Sequence, residues 1–191
     1  MKLRHLLLVP LACLCVVAQA VEIEGVQFED KATLAKTELV LNGAGLRKKV
    51  FFDVYAIGLY LPGKKSTTAD ILALKGPQHL RIVTLRDLTA EQFADALVEG
   101  LHKNHQAAEL ETLKARIDTF SNILRGLKAA PKGSSVVIDW LPESGTRLTF
   151  NGERRGEDIP GEDFHRALLR VWIGDKPAQD SLKDALLGKP Q

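Results

Sequence analysis

The spacing of apolar positions changes period twice along the chain. From Val21 to Phe28 they alternate around Gly25, with Val21 and Ile23 before it and Val26 and Phe28 after it, which predicts a strand. Leu39–Leu41 is a second, shorter apolar stretch. Lys49 to Leu61 predicts a long strand that is apolar on both faces. Phe51, Tyr55, Ile57 and Leu59 lie on one face, and Val50, Phe52, Val54, Ala56 and Tyr60 on the other. Such a strand belongs in the middle of a sheet covered on both sides. Thr67–Leu74 reads as a short helix ended by Gly76-Pro77, and Leu80–Leu85 as another strand.

Helical spacing then takes over. Thr89 with Gln92 three residues on is a capping-box start, and Phe93, Leu97 and Leu101 follow on one helix face. Leu110, Leu113, Ile117, Phe120, Leu124 and Leu127 are spaced by three and four in turn. They lay one stripe on a partner, too short a run for a coiled coil. Strand spacing returns at Ser135–Leu141, where Val136, Ile138 and Trp140 share a face, and at Thr146–Phe150. Asn151-Gly152 is a hairpin signal. Pro160-Gly161 introduces a helix with Phe164, Leu168, Val171 and Trp172 on one side, Gly174 stops it, and Pro177 opens a last short helix with Leu182 and Leu186. Strands, helices, strands and helices in that order predict an α+β fold, a large antiparallel sheet with a helical layer on one face.

The amino terminus changes how composition is read. Met1 to His5 is basic, Leu6–Ala18 is almost unbroken apolar sequence, and Ala18-Gln19-Ala20 ends it. This is the pattern of a cleavable secretory signal peptide, with cleavage expected after Ala20. The run falls short of the roughly 20 apolar residues that a spanning helix needs. Residues 1–20 are therefore read as leader and 21–191 as one exported domain, placed in a bacterial periplasm. The whole chain carries 26 basic and 24 acidic residues and two cysteines. The leader takes Lys2, Arg4, Cys13 and Cys15 with it, so the domain is electrically balanced and free of thiols. Disulfides, thiol catalysis and thiolate metal sites drop out. Nucleic-acid binding loses the basic excess it needs.

Few residues offer chemistry. His102 and His105, with Glu99 and Glu109 near, have a spacing that metal ligands can use, but a solvated helix end explains them equally, and no metal site is assigned. Gly43-Ala44-Gly45 lacks the third glycine and the following helix of a dinucleotide loop, so it reads as a tight turn and no cofactor is expected. No Gly-x-Ser-x-Gly or His-Glu-x-x-His motif occurs.

One constellation is more specific. Leu41-Asn42-Gly43-Ala44-Gly45-Leu46-Arg47, followed by Tyr55-Ala56-Ile57-Gly58-Leu59-Tyr60-Leu61 and later by Leu169-Arg170-Val171-Trp172-Ile173-Gly174, resembles the chalcone isomerase family, in its exported bacterial chalcone-isomerase-like group. With the order of elements, the likeness spans most of residues 35–188. It implies an open-faced sandwich with an apolar cleft between the sheet and the helices. It also implies that Arg47 stands where the enzymes keep the arginine that stabilises enolate charge. A guanidinium there also suits a carboxylate, the use implied by fatty-acid-binding members of the family.

The other site positions depart from the enzymes. Tyr55 stands for a threonine, Phe93 for a tyrosine, Gly100 for an asparagine and Val171 for a hydroxyl residue. A site built to hydrogen-bond its substrate loses much when those groups are gone, so little chalcone isomerisation is expected. The resemblance thus implies a binding module for a small hydrophobic or fatty-acid-like ligand, lined by Arg47, Tyr55, Phe93, Gly100 and Val171. The alternative is an isomerase or intramolecular lyase on another enone, with Arg47 and Tyr55 as its catalytic pair. An envelope scaffold without a ligand is the third reading.

Overall fold

A computed structural model describes residues 20–189, so the leader expected at residues 1–20 lies, but for Ala20, outside the described residues. In chain order the elements are β1 (Val21–Ile23), β2 (Val26–Phe28), β3 (Lys31–Leu34), β4 (Thr37–Lys49), β5 (Phe52–Leu61), α1 (Thr68–Ala73), β6 (Gln78–Thr84), β7 (Leu88–Thr89), α2 (Ala90–Asn104), α3 (Ala107–Arg125), β8 (Ala129–Ala130), β9 (Ser135–Leu141), β10 (Gly145–Phe150), β11 (Glu153–Ile159), α4 (Glu162–Ile173) and α5 (Asp180–Leu186). Seven strands form one antiparallel sheet in the order β11-β10-β9-β6-β5-β4-β3. The fold is the expected α+β sandwich.

The helices cover one face of the sheet. Ile57, Leu59 and Leu61 of β5, Leu80 and Ile82 of β6 and Val136 and Ile138 of β9 share a single core with Leu97 and Leu101 of α2, Leu113 and Phe120 of α3, and Phe164 and Leu168 of α4. The other face is covered only in part. Phe28, Leu39, Leu41, Ala56 and Tyr60 make a smaller cluster there, under the β1–β2 hairpin. A Cβ on Gly58 would lie 2.6 Å from the Phe28 ring, so the glycine of the Ala-Ile-Gly run makes room for the hairpin's anchor. Farther along this face runs a cross-strand polar row. His79 Nδ1 lies 2.6 Å from Asp139 Oδ1, and Arg147, opposite Asp139 in register, donates to both carboxylate oxygens of Asp158 at 2.9 and 2.8 Å. Those bonds hold the Asp158 carboxyl at about 2.

Local signals account for most boundaries. Thr67 accepts from the Asp70 amide at the start of α1, and both bonds of the capping box are made at α2. Asn151 (φ +50°) and Gly152 (φ +82°) form the predicted hairpin turn. Four expectations need correction. The strand expected from Lys49 begins only at Phe52, because Lys49 ends β4 and Val50 and Phe51 turn the chain back. Val21–Phe28 is two strands, because Glu24 and Gly25 both take positive φ and turn the chain between them. Gly43-Ala44-Gly45 is no turn but the middle of the 13-residue β4. A Cβ on Gly43 would sit 2.0 Å from the Ala185 carbonyl oxygen, so the glycine admits the backbone of α5, not a bend. The last helix starts at Asp180 behind Gln179, three residues later than Pro177.

His165 on α4 is fully buried, stacked on Trp140 with ring centroids 5.5 Å apart, with Nε2 3.3 Å from Gln78 Oε1. Burial pushes its pKa down to about 3. The unfolded chain takes up this proton near 6.5. Between the two values the folded state therefore holds fewer protons, and stability falls as pH is lowered, by up to about 1.4 kcal/mol per unit. Urea melts at pH 7, 5 and 4 should show this loss, and His165→Gln should flatten it relative to the parent.

Candidate functional site

Register decides which residues can meet. In the β4–β5 ladder Arg47 lies directly opposite Tyr55. Cross-strand partners put their side chains on the same face. Tyr55 belongs to the core beneath the helices, so Arg47 is on the helical side as well. Two irregularities flank the pairing. Leu41 pairs with Tyr60 and Gly43 with Leu59, which leaves Asn42 as an extra residue on β4. Arg47 pairs with Tyr55 and Lys48 with Asp53, which leaves Val54 extra on β5.

The Tyr55 hydroxyl is satisfied inside the protein, because the indole N–H of Trp172 donates to it at 2.9 Å. Burial raises the Tyr55 pKa, opposed by the Trp172 bond and by the Arg47 guanidinium beside the phenol. The phenol is therefore neutral at physiological pH, able to donate a proton in a hydrogen bond but unsuited to act as a base. Arg47 is half-buried. One of its terminal nitrogens donates to the Lys48 carbonyl and, at 3.3 Å, to Gln179 Oε1. Among the described residues it is paired with no carboxylate, in contrast to Arg116, Arg125, Arg147, Arg154, Arg155 and Arg166.

Gln179 holds this corner together. Its Oε1 accepts from the Lys48 amide at 2.8 Å, and its Nε2 donates to Ser181 Oγ at 2.6 Å and, at 3.4 Å, to the Leu46 carbonyl. Sequence reasoning passed over Gln179, since nothing local separates it from any glutamine ahead of a short helix. Trp172 was visible as an apolar position. Its polar role follows from the need of a buried indole N–H for an acceptor.

The remaining positions fall on the α2–α4 side of the same core. Phe93 is partly buried against it. Gly100 and Val171 touch each other, and a Cβ on Gly100 would lie 2.6 Å from Val171 Cγ1. Two surface cavities stand out. One, of about 290 Å³, lies between α3 and α4 and is lined by His105, Glu109, Arg166 and Arg170 among others. The second, of about 270 Å³, is lined by Asn42, Lys64, Lys65, Ser66, Leu187 and Gly188. Neither is lined by Arg47, Tyr55, Phe93, Gly100 or Val171. His102 is exposed, whereas the His105 ring turns against α4, 3.3 Å from the Ala167 carbonyl.

Residues 20–188 match the chalcone isomerase-like family over nearly all of the described chain. The chain belongs to that family. No curated protein matches the sequence significantly. Among solved structures the chain is similar to a fatty-acid binding protein of Arabidopsis thaliana, with 19% sequence identity and a TM-score of 0.68, over 88% of this chain and 96% of that one. At that identity the likeness shows the fold, a chalcone isomerase-like sheet with its helical layer.

Gly100 of α2 and Val171 of α4 meet in one helix–helix contact. Val171 is β-branched and stiff within a helix, so it retracts poorly from an added methyl. Gly100→Ala should destabilise the protein by about 1–2 kcal/mol, the overpacking cost less the better helix propensity of alanine. In the double variant with Val171→Ala that loss should be recovered in part, giving a coupling of about 1 kcal/mol in denaturant melts. Strictly additive losses would rule the contact out.

Proposed function

We propose that the protein is an exported binding module that takes a small amphipathic ligand of the fatty-acid class between sheet and helices, with Arg47 pairing with the ligand's acidic group. The observation that carries this reading is the half-buried guanidinium on the helical side, beside the Tyr55 phenol and without a carboxylate partner among the described residues. A guanidinium fork is matched to a carboxylate. Tyr55, Phe93, Gly100 and Val171 supply apolar wall, and entry of an acyl chain parts the Gly100–Val171 contact. The fold shared with a fatty-acid binding protein of Arabidopsis thaliana supports the ligand class. Export rests on the leader pattern, and among the described residues no helix is long and apolar enough to cross a membrane.

Titration with a fluorescent fatty acid should give saturable binding, weakened tenfold or more in Arg47→Ala, the loss of about one charge-assisted hydrogen bond. Absence of binding in both proteins, with no lipid in extracts of either by mass spectrometry, would sink the reading and leave the ligand-free scaffold. The protein recovered after secretion should begin at Val21, and an intact mass that retains residues 1–20 would contradict export with cleavage.

A second reading is favoured by the neutral phenol next to a guanidinium, an arrangement that can donate to and stabilise an enolate. It makes the protein an isomerase or intramolecular lyase on an enone other than a chalcone. Turnover by a panel of enones, lowered in Tyr55→Phe and in Arg47→Ala alike, is its expected sign.

A further inference from the structure

The turn that joins β4 to β5 presents apolar side chains to solvent. Lys49 and Phe52 are paired in register, so Val50 and Phe51 form a two-residue loop. Val50 is 78% exposed, Phe51 93% and Phe52 58%, three of the four large exposed hydrophobic residues among the described ones. Val50 takes φ +57°. Positive φ at the first position of such a loop is glycine's place, and a β-branched residue is strained there. The chain accepts strain to hold an apolar side chain at the exposed tip of this hairpin.

Cations ring the base of this tip. Lys48 and Lys49 are exposed, and the Arg86 guanidinium lies 4.5 Å over the Phe52 ring. Lys48 is 3.1 Å from Asp53, and Lys49 is paired with no carboxylate among the described residues. The backbone of the turn is closed by its own hairpin, so it can enter an apolar layer without opening a strand edge. Apolar side chains at an apex with lysine and arginine behind them complement a surface whose acyl region lies beneath anionic headgroups. Three side chains on one protruding turn are far too small an area for a stable protein interface, which takes about 800 Å² from each partner.

We infer that the Lys49–Phe52 hairpin tip is a membrane-docking element that inserts Val50 and Phe51 into the interface of an anionic phospholipid bilayer, with Lys48, Lys49 and Arg86 against its phosphates. The docking holds whether or not the interior takes a ligand. Flotation of the processed protein with phosphatidylcholine vesicles containing 30% phosphatidylglycerol, beside vesicles of phosphatidylcholine alone, tests it. The parent should float with the anionic vesicles, and high salt should release it. Val50→Gly/Phe51→Ser should bind at least tenfold more weakly while its melting temperature stays level or rises, since glycine relieves the strain. In Phe51→Trp the emission should shift to the blue on adding anionic vesicles. No flotation of the parent, equal flotation of the double variant, or an unshifted tryptophan would overturn the assignment. So would a dimer in solution that the double variant dissolves, because the tip would then join two copies of the chain. Fatty-acid titration of the same double variant keeps the two proposals apart. Retained fatty-acid binding with lost flotation separates docking from the ligand site, whereas flotation by a parent that binds no fatty acid leaves docking standing alone.

Discussion

The unpaired flank of β4 constrains much of the architecture. β3 accompanies β4 only as far as Val40, so from Asn42 onward the strand has β5 on one side and no strand on the other. An open edge leaves amide and carbonyl groups without partners. α5 covers it. Asn42 donates to the Leu186 carbonyl at 2.7 Å, the Ala185 backbone lies against Gly43, and Gln179 bridges the Leu46 carbonyl and the Lys48 amide as a missing strand would. The same three contacts anchor the carboxy-terminal helix and hold the strand segment that carries Arg47. A glycine in mid-strand, usually a weakness, is what lets two backbones approach so closely.

Much of this was legible in advance where a signal is local. The capping box at Thr89, the three-four stripe of α3 and the Asn151-Gly152 turn each act through neighbours in sequence, and each stands where expected. Signals that depend on distant partners were misread. Gly43-Ala44-Gly45 has turn chemistry by composition, but its pairing with Leu59, Gly58 and Ile57 makes it strand, and the approach of Ala185, more than 140 positions later, is what requires the first glycine. The turn between β3 and β4 uses Ala35 and Lys36 at positive φ, residues that announce no bend, so β3 left no trace in the pattern. In the site, the Arg47 position could be read from its motif, but its pairing with Tyr55 depends on register, and Gln179 on a tertiary contact.

The polar groups around Arg47 are largely engaged within the protein. The hydroxyl of Tyr55 accepts a hydrogen bond from the Trp172 indole, and the Gly100–Val171 pair gives apolar contact. A buried polar atom that is already satisfied stabilises the fold and is less available for chemistry. What stays chemically available is the cation. In the proposed binding function, one strong recognition group stands among walls that discriminate little, a combination suited to ligands defined by one acidic head and a variable apolar tail.

The single residue Asn42 has a consequence out of proportion to its size. Before it, Leu39 and Leu41 face the lesser cluster under the β1–β2 hairpin, and after it Gly43, Gly45 and Arg47 are matched to Leu59, Ile57 and Tyr55, which face the helices. Side chains alternate strictly along an unbroken strand, so if Asn42 were paired in regular alternation instead of bulged, Arg47, six positions after Leu41, would keep the phase of Leu41 and emerge on the opposite side of the sheet. The face on which the guanidinium emerges is thus set by the bulge and not by the kind of residue that carries the charge. Removing Asn42 would leave Gly43, Gly45 and Arg47 matched to Leu59, Ile57 and Tyr55, whereas one residue inserted between Gly43 and Arg47 without a compensating bulge would carry the charge through the sheet in one step.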